Sequence, residues 1–132
     1  MTQRRDGDGA SPAGLERAVR ERCLTLPSVT ERLSHGAPTF FIRDKSSFAA
    51  LRMDGHHDLV FPHLLCAAPP GAQARLVAER PSVFFVPAYV GGRGWIGARL
   101  DRDLGADEAG DLCEDGYRCV APRRLLVELD GA

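Results

Sequence analysis

No apolar run in this sequence approaches the roughly 20 residues that a bilayer-spanning helix needs. Its opening, MTQRRDGDGASPAG, has charges and glycines but lacks the apolar core of a secretory leader. The expectation is a soluble cytoplasmic protein without membrane contact. A global basic excess is missing as well: the net charge is −1 over 132 residues, whereas many nucleic-acid-binding domains are strongly basic. Lysine is nearly absent, Lys45 being the only one among 17 basic residues. Cysteine is sparse and unpatterned. Cys23, Cys66, Cys113 and Cys119 form no C-x-x-C pair and sit among apolar neighbours, so they read as small buried hydrophobes.

Catalytic and metal signatures are lacking too. There is no nucleophile elbow, zinc motif or paired-carboxylate motif. Asp101 and Asp103 are neighbouring acids before a helix and read as capping residues. His35, beside Gly36, reads as a turn histidine. His56, His57, His63 and Cys66 are close in sequence. Yet His57 and His63, on one strand face, would stand about 20 Å apart in extended chain. No enzyme, metal or cofactor is expected.

What is present is the composition of an ordinary globular domain, 44% apolar and 27% charged. Residues 1–11 are polar and glycine-rich and read as a disordered tail, leaving one domain over residues 12–129. Ser11-Pro12 is a helix start, and Leu15, Ala18, Val19, Cys23 and Leu26 follow at helical spacing. Three short β-rich runs come next, TFFIRD (39–44), SSFAALRM (46–53) and DLVFPHLLCA (58–67), separated by hairpin-like turns. Pro62 implies a bulge or an edge in the third. PPGAQARLVAERP (69–81) reads as a short helix and SVFFVP (82–87) as a strand.

VPAYVGGRGWIGARLDR (86–102) holds the single tryptophan and three glycines in four positions. A phosphate loop needs its glycines to open a helix. Here they lead into strict alternation, with Ile96, Ala98 and Leu100 on one side and Trp95, Gly97, Arg99 and Asp101 on the other. The segment therefore reads as a hairpin. A last helical pattern runs through Ala109, Leu112, Cys113, Tyr117 and Val120, and APRRLLVEL (121–129) closes the domain as a final turn or short helix. The whole is an α+β two-layer sandwich, an antiparallel sheet covered on one face by the N- and C-terminal helices.

Three blocks carry a family resemblance: CLTLPSVTERLSHGAPTFFIRDKSSFAAL (23–51), APPGAQARLVAERPSVFFVPAYVGGRGWIGARLD (68–101) and YRCVAPRRL (117–125). Over roughly residues 13–127 the chain resembles the MmcQ/YjbR family, small bacterial proteins with a frataxin-like (CyaY-like) fold. The resemblance implies two possible roles. Members are described as DNA-binding because two hairpins project like wings, and some are encoded beside antibiotic biosynthesis genes. It carries over no catalytic residue. An iron-binding acidic ridge, which a frataxin likeness would suggest, is excluded because LERAVRERCL mixes Glu16 and Glu21 with Arg17, Arg20 and Arg22.

If Ile96, Ala98 and Leu100 face the core, alternation places Phe41, Phe48 and Trp95 on the opposite sheet face among Arg43, Arg52 and Arg99. Arg43, Lys45 and Arg93 then mark the hairpin tips. Residues 32–99 hold eight basic and four acidic residues, whereas 101–115 hold seven acids and one arginine, so the charge is polarised. Rings stack on bases and guanidiniums pair with phosphates. The expected function is a non-enzymatic DNA-binding protein using these eight residues. The alternative is a protein that binds or sequesters a planar or anionic small molecule in secondary metabolism or drug resistance. A monomer or weak dimer is expected.

Overall fold

The computed structural model describes residues 11–56 and 59–131. Most of the expected tail, together with His57 and Asp58, lies outside the described residues. Ser11 belongs to the fold: its Oγ accepts from the Gly14 N–H at 3.0 Å and caps α1 (Pro12–Thr25), with Pro12 in the first turn.

Six strands form one antiparallel sheet: β1 (Val29–Ser34), β2 (Ala37–Ile42), β3 (Ser46–Arg52), β4 (His63–Cys66), β5 (Phe84–Phe85) and β6 (Ile96–Arg99). Their order across the sheet is β1-β2-β3-β4-β6-β5. Helix α2 (Ala72–Glu79) lies between β4 and β5, and a short 3₁₀ turn (Val90–Arg93) lies between β5 and β6. Helices α3 (Ala106–Val120) and α4 (Arg123–Gly131) end the chain. The α+β sandwich is as the periodicity predicted, with α1 and α3 packed on one sheet face.

That face holds the core. Leu15, Val19 and Cys23 of α1 meet Ala109, Cys113 and Tyr117 of α3 over Phe40, Leu51, Leu64 and Ile96. Tyr117 is fully buried, and its hydroxyl donates to the Pro27 carbonyl at 2.7 Å, tying α3 to the end of α1. Asp107 and Glu108 stand in the first turn of α3 and Arg118 in its last, matching the helix dipole.

Three features of the sheet differ from the sequence reading. Strand β1 had no predicted counterpart. It is an edge strand whose Glu31 and Arg32 interrupt the apolar beat, and such charges are how exposed edges resist further pairing. Strand β4 begins only at His63, with Pro62 just ahead of it, where a missing N–H does no harm to the ladder. The Pro62 carbonyl still accepts from the Leu100 N–H at 2.9 Å.

The third difference changes the surface. The β2–β3 register pairs Phe40 with Ala49 but Phe41 with Ser47. Phe48 is thus the extra residue of a β-bulge. The bulge shifts the inside-outside parity within β3, so Ala49 and Phe48 both enter the core. Phe48 is fully buried and meets the Tyr117 ring edge-on at 5.5 Å. The expectation that Phe48 faces away from the helices is corrected.

Candidate functional site

The sheet face opposite the core is built by strand alternation. Ile96, Ala98 and Leu100 join the core, as do Leu64 and Cys66. Arg52, His63, Leu65, Gly97 and Arg99 therefore stand on the far face, joined by the register Arg52–His63–Arg99 and Leu65–Gly97. Phe85 lies over Gly97, where a Cβ would come within 2.4 Å of the ring. Only glycine admits that approach. His63, Phe61 and Phe85 form a cluster of edge-on rings 5.4–5.6 Å apart.

The chain after β5 does not project as a wing. Tyr89 has φ 65° and ψ −67°, and the Val90 N–H donates to the Ala88 carbonyl at 2.7 Å. This is a γ-turn of the strained hand. It returns the loop over the far face, so that Ala88, Tyr89 and Val90 share a cavity of about 470 Å³ with His35, Arg52, His56 and Leu65. A second cavity of about 310 Å³ holds His63, Phe85, Val86 and Pro87. The two adjoin, since His56, Leu65 and Ala88 line both. From α2, the Gln73 side chain donates to the Gly91 and Trp95 carbonyls at 2.8 and 2.6 Å and anchors the loop. Val86 and Tyr89 leave large apolar surfaces exposed along this groove.

The arginines are unequal. Arg99 donates twice to Asp101 at 2.9 Å, and its guanidinium lies 3.8 Å over the Phe61 ring. The bond from Arg99 holds the Asp101 carboxyl below the usual carboxylate range. Arg32 stacks 3.8 Å over Phe41 and donates to Asp44, so Phe41 is on the far face but covered. Trp95 is on the far side of β6 but only 8% exposed, with Arg93 5.3 Å over its ring. Arg43 and Lys45 are exposed at the β2–β3 turn, beyond the opposite end of β3 from Arg52. The seven-residue strand Ser46–Arg52 separates them, about 20 Å of extended chain. One continuous platform of three aromatic rings and three arginines is therefore not formed.

The YjbR family model matches residues 24–119. The chain belongs to the YjbR family. Among solved structures, the YjbR fold here is similar to that of the Deinococcus radiodurans protein DR2400, described with a DUF419 domain. Identity is 21% and the TM-score 0.62, over 86% of this chain and 78% of that one. No curated protein matches the sequence. Among the described residues, no helix is long and apolar enough to cross a membrane.

Sequence reasoning placed Arg52 and Arg99 of this YjbR chain on the correct face but missed His63, Leu65, Phe85 and Tyr89. The first two were legible by carrying the β4 alternation across to Arg99. Tyr89 was not, because the γ-turn has no spacing signature. Another cleft, about 580 Å³, lies between α2 and α3; of its charged rim, Arg75, Glu108 and Asp111 are already engaged, leaving the carboxylate Asp115 and no available cation among the described residues. Glu108 pairs with Arg80, Asp111 with Arg22, and Arg75 with Glu79. The groove on the far face is the better candidate because, among the described residues, no carboxylate pairs with its cation, Arg52. Cys23, Cys66 and Cys113 are buried as expected, whereas Cys119 is exposed. Burial pushes the Cys66 thiol well above its ordinary range.

Burial also lowers the His63 imidazole below the ordinary value of 6.5. A hydrogen bond to the Phe61 carbonyl opposes this, and the nearby Arg52 charge adds to it. The folded state therefore favours neutral His63. As pH falls through the unfolded value, the unfolded chain takes up the proton first and stability is lost. Thermal melts are expected to drop between pH 7 and pH 5, by no more than about 1.4 kcal/mol per pH unit for one group. His63→Leu is expected to flatten that limb; an unchanged slope would show that another group carries it.

Proposed function

We propose that the protein is a non-enzymatic binding protein that holds a planar or anionic small molecule in the groove between the far sheet face and residues 86–90. One observation carries this reading. The strained return at Tyr89 converts a flat sheet face into two adjoining cavities of about 470 and 310 Å³. Clefts of a few hundred Å³ with apolar walls and few polar groups are the usual form of small-molecule sites. Here Leu65, Phe85, Val86 and Pro87 supply the walls and Arg52 the charge. Methyl NMR of Leu65, Val86 and Val90 during titration with flat aromatic acids and amides is expected to give saturable shifts. If no member of such a set moves those methyls at millimolar concentration, the reading is lost.

A DNA-binding reading keeps one specific support. The β2–β3 turn and the β5–β6 loop leave the same end of the sheet, and they carry Arg43, Lys45 and Arg93 with no ion pair among the described residues. Contacts from these tips would be to phosphate, salt-sensitive and largely indifferent to sequence. The stacking half of that idea has less support, since Phe48 is in the core and Trp95 is covered. Fluorescence titration with duplex DNA separates the readings. Micromolar binding in low salt that Arg43→Glu with Lys45→Glu abolishes would favour DNA; its absence favours the groove.

A further inference from the structure

We infer that the groove is polarised end to end and takes an aromatic carboxylate, with its anionic group at Arg52 and its flat apolar body over Leu65 toward Phe85. The inference rests on the groove reading above and names the ligand class and the residue that selects it.

Arg32 and Arg99 already meet Asp44 and Asp101. Arg93 lies over Trp95, and Arg43 and Lys45 stand at the distant hairpin turn. Arg52 is the arginine that lines the groove, in the larger cavity. Its guanidinium makes a 3.3 Å bond to the His35 carbonyl, and its Nε–H is buried without an acceptor among the described residues. Native folds rarely leave a buried charged donor unmatched, because water is lost and nothing replaces it. The His35 bond pins one arm of the planar fork and leaves the group oriented for a carboxylate, which arginine binds with two parallel hydrogen bonds.

The smaller cavity has the opposite character. Among the described residues, Leu59, Leu65, Phe85, Val86, Pro87 and Ala88 line it, with His56 and His63 and no arginine or lysine. Burial disfavours a charge on His63 there. An anion is therefore disfavoured at this end and matched at the other. Leu65 and Ala88 form the passage between the ends. A flat molecule with one terminal carboxylate meets both requirements, whereas a dianion with charge at both ends does not.

The test uses 2-naphthoate and its uncharged partner, 2-naphthamide, followed by methyl NMR on the full chain. Wild-type protein is expected to bind naphthoate at least about tenfold more tightly than naphthamide, the scale of one charge-assisted hydrogen bond. Arg52→Gln is expected to erase that difference by weakening naphthoate far more than naphthamide, with unshifted methyls of the core residues Leu15 and Leu51 reporting that the variant is folded. Arg52→Lys is expected to recover only part of it. Equal affinities in wild type, or a preference that survives Arg52→Gln, overturn the carboxylate assignment and leave the groove standing. Failure of both probes to shift Leu65, Val86 and Val90 removes the groove reading and this inference with it. Naphthoate shifts confined to the Arg43–Lys45 turn likewise overturn it.

Discussion

Replacing Phe48 by alanine is expected to lower stability by about 3–5 kcal/mol, the range for a buried aromatic truncated in a packed core. Phe48 is fully buried, stacks edge-on against Tyr117 and sits on the bulge that joins β3 to β2. Its carbonyl accepts the Ala67 N–H at 3.0 Å, so the residue anchors both the helix layer and the end of β4. Relaxation cannot refill the space, because α3 is held in place by the Tyr117–Pro27 bond and by Arg22 reaching Asp111 and Glu114. Urea unfolding measures the loss. A cost under about 1 kcal/mol is what a half-solvated surface phenylalanine would give, and that result would return Phe48 to the far face. The groove walls are on the other side of the sheet, so naphthamide binding by the folded fraction is expected to persist.

Gly116→Val is the second large effect. Gly116 lies in the middle of α3, where its neighbours are backbone atoms of the sheet. A Cβ there would stand 2.6 Å from the Ala67 carbonyl oxygen and 3.3 Å from the Phe48 carbonyl oxygen. Neither atom can rotate away, since the Phe48 carbonyl is in the Ala67 bond. Even alanine, which gains about 1 kcal/mol in helix propensity over glycine, meets an overpacking cost of about 1–3 kcal/mol or more. The clash wins because the obstacle is main chain. Gly116→Ala is expected to be destabilised by about 1–2 kcal/mol net and Gly116→Val by more. Gly92→Ala, with open space at its Cβ and no positive φ, is the near-neutral control. Thermal melts that rank Gly116→Ala at or above wild type would show that α3 does not press on the sheet at this point.

The two substitutions share a cause. Gly116 lets α3 come down onto the strands where the bulge turns Phe48 up toward Tyr117. The far face is thereby left with few rings of its own. Its aromatic surface comes instead from Phe61 and Phe85, supplied by the loop before β4 and by the two-residue strand β5. This is why the groove lies toward β4, β6 and β5 and not beneath the β2–β3 turn. The basic turn residues and the groove are consequently separate features, and substitutions at Arg43 and Lys45 are expected to leave small-molecule binding untouched.

Much of the fold was legible because its signals are local. Ser11-Pro12 starts a helix through one side-chain bond and one fixed dihedral angle. The beat of Ile96, Ala98 and Leu100 against Trp95, Gly97 and Arg99 is a property of six consecutive residues, and it placed Arg99 correctly. The glycines before it form a short 3₁₀ turn that leads into strand β6 as the alternation required, and they open no α-helix. The candidate site was only partly legible. Arg52 and Arg99 follow from alternation, but Arg99's neutralisation follows from Asp101 two residues on, a contact that depends on how the chain turns after β6.

The amino-acid order by itself determined most of the element types, strand β1 excepted, together with the helix-covered antiparallel sheet and the family likeness, since each arises from periods and turn residues within a few positions. Only the tertiary structure decided which way Phe48 points and where residues 86–90 go. An extra residue in a strand leaves no trace in spacing until the partner strand defines the register. A loop's course is likewise set by a partner far along the chain, here Gln73, whose amide holds the Trp95 carbonyl 22 residues away.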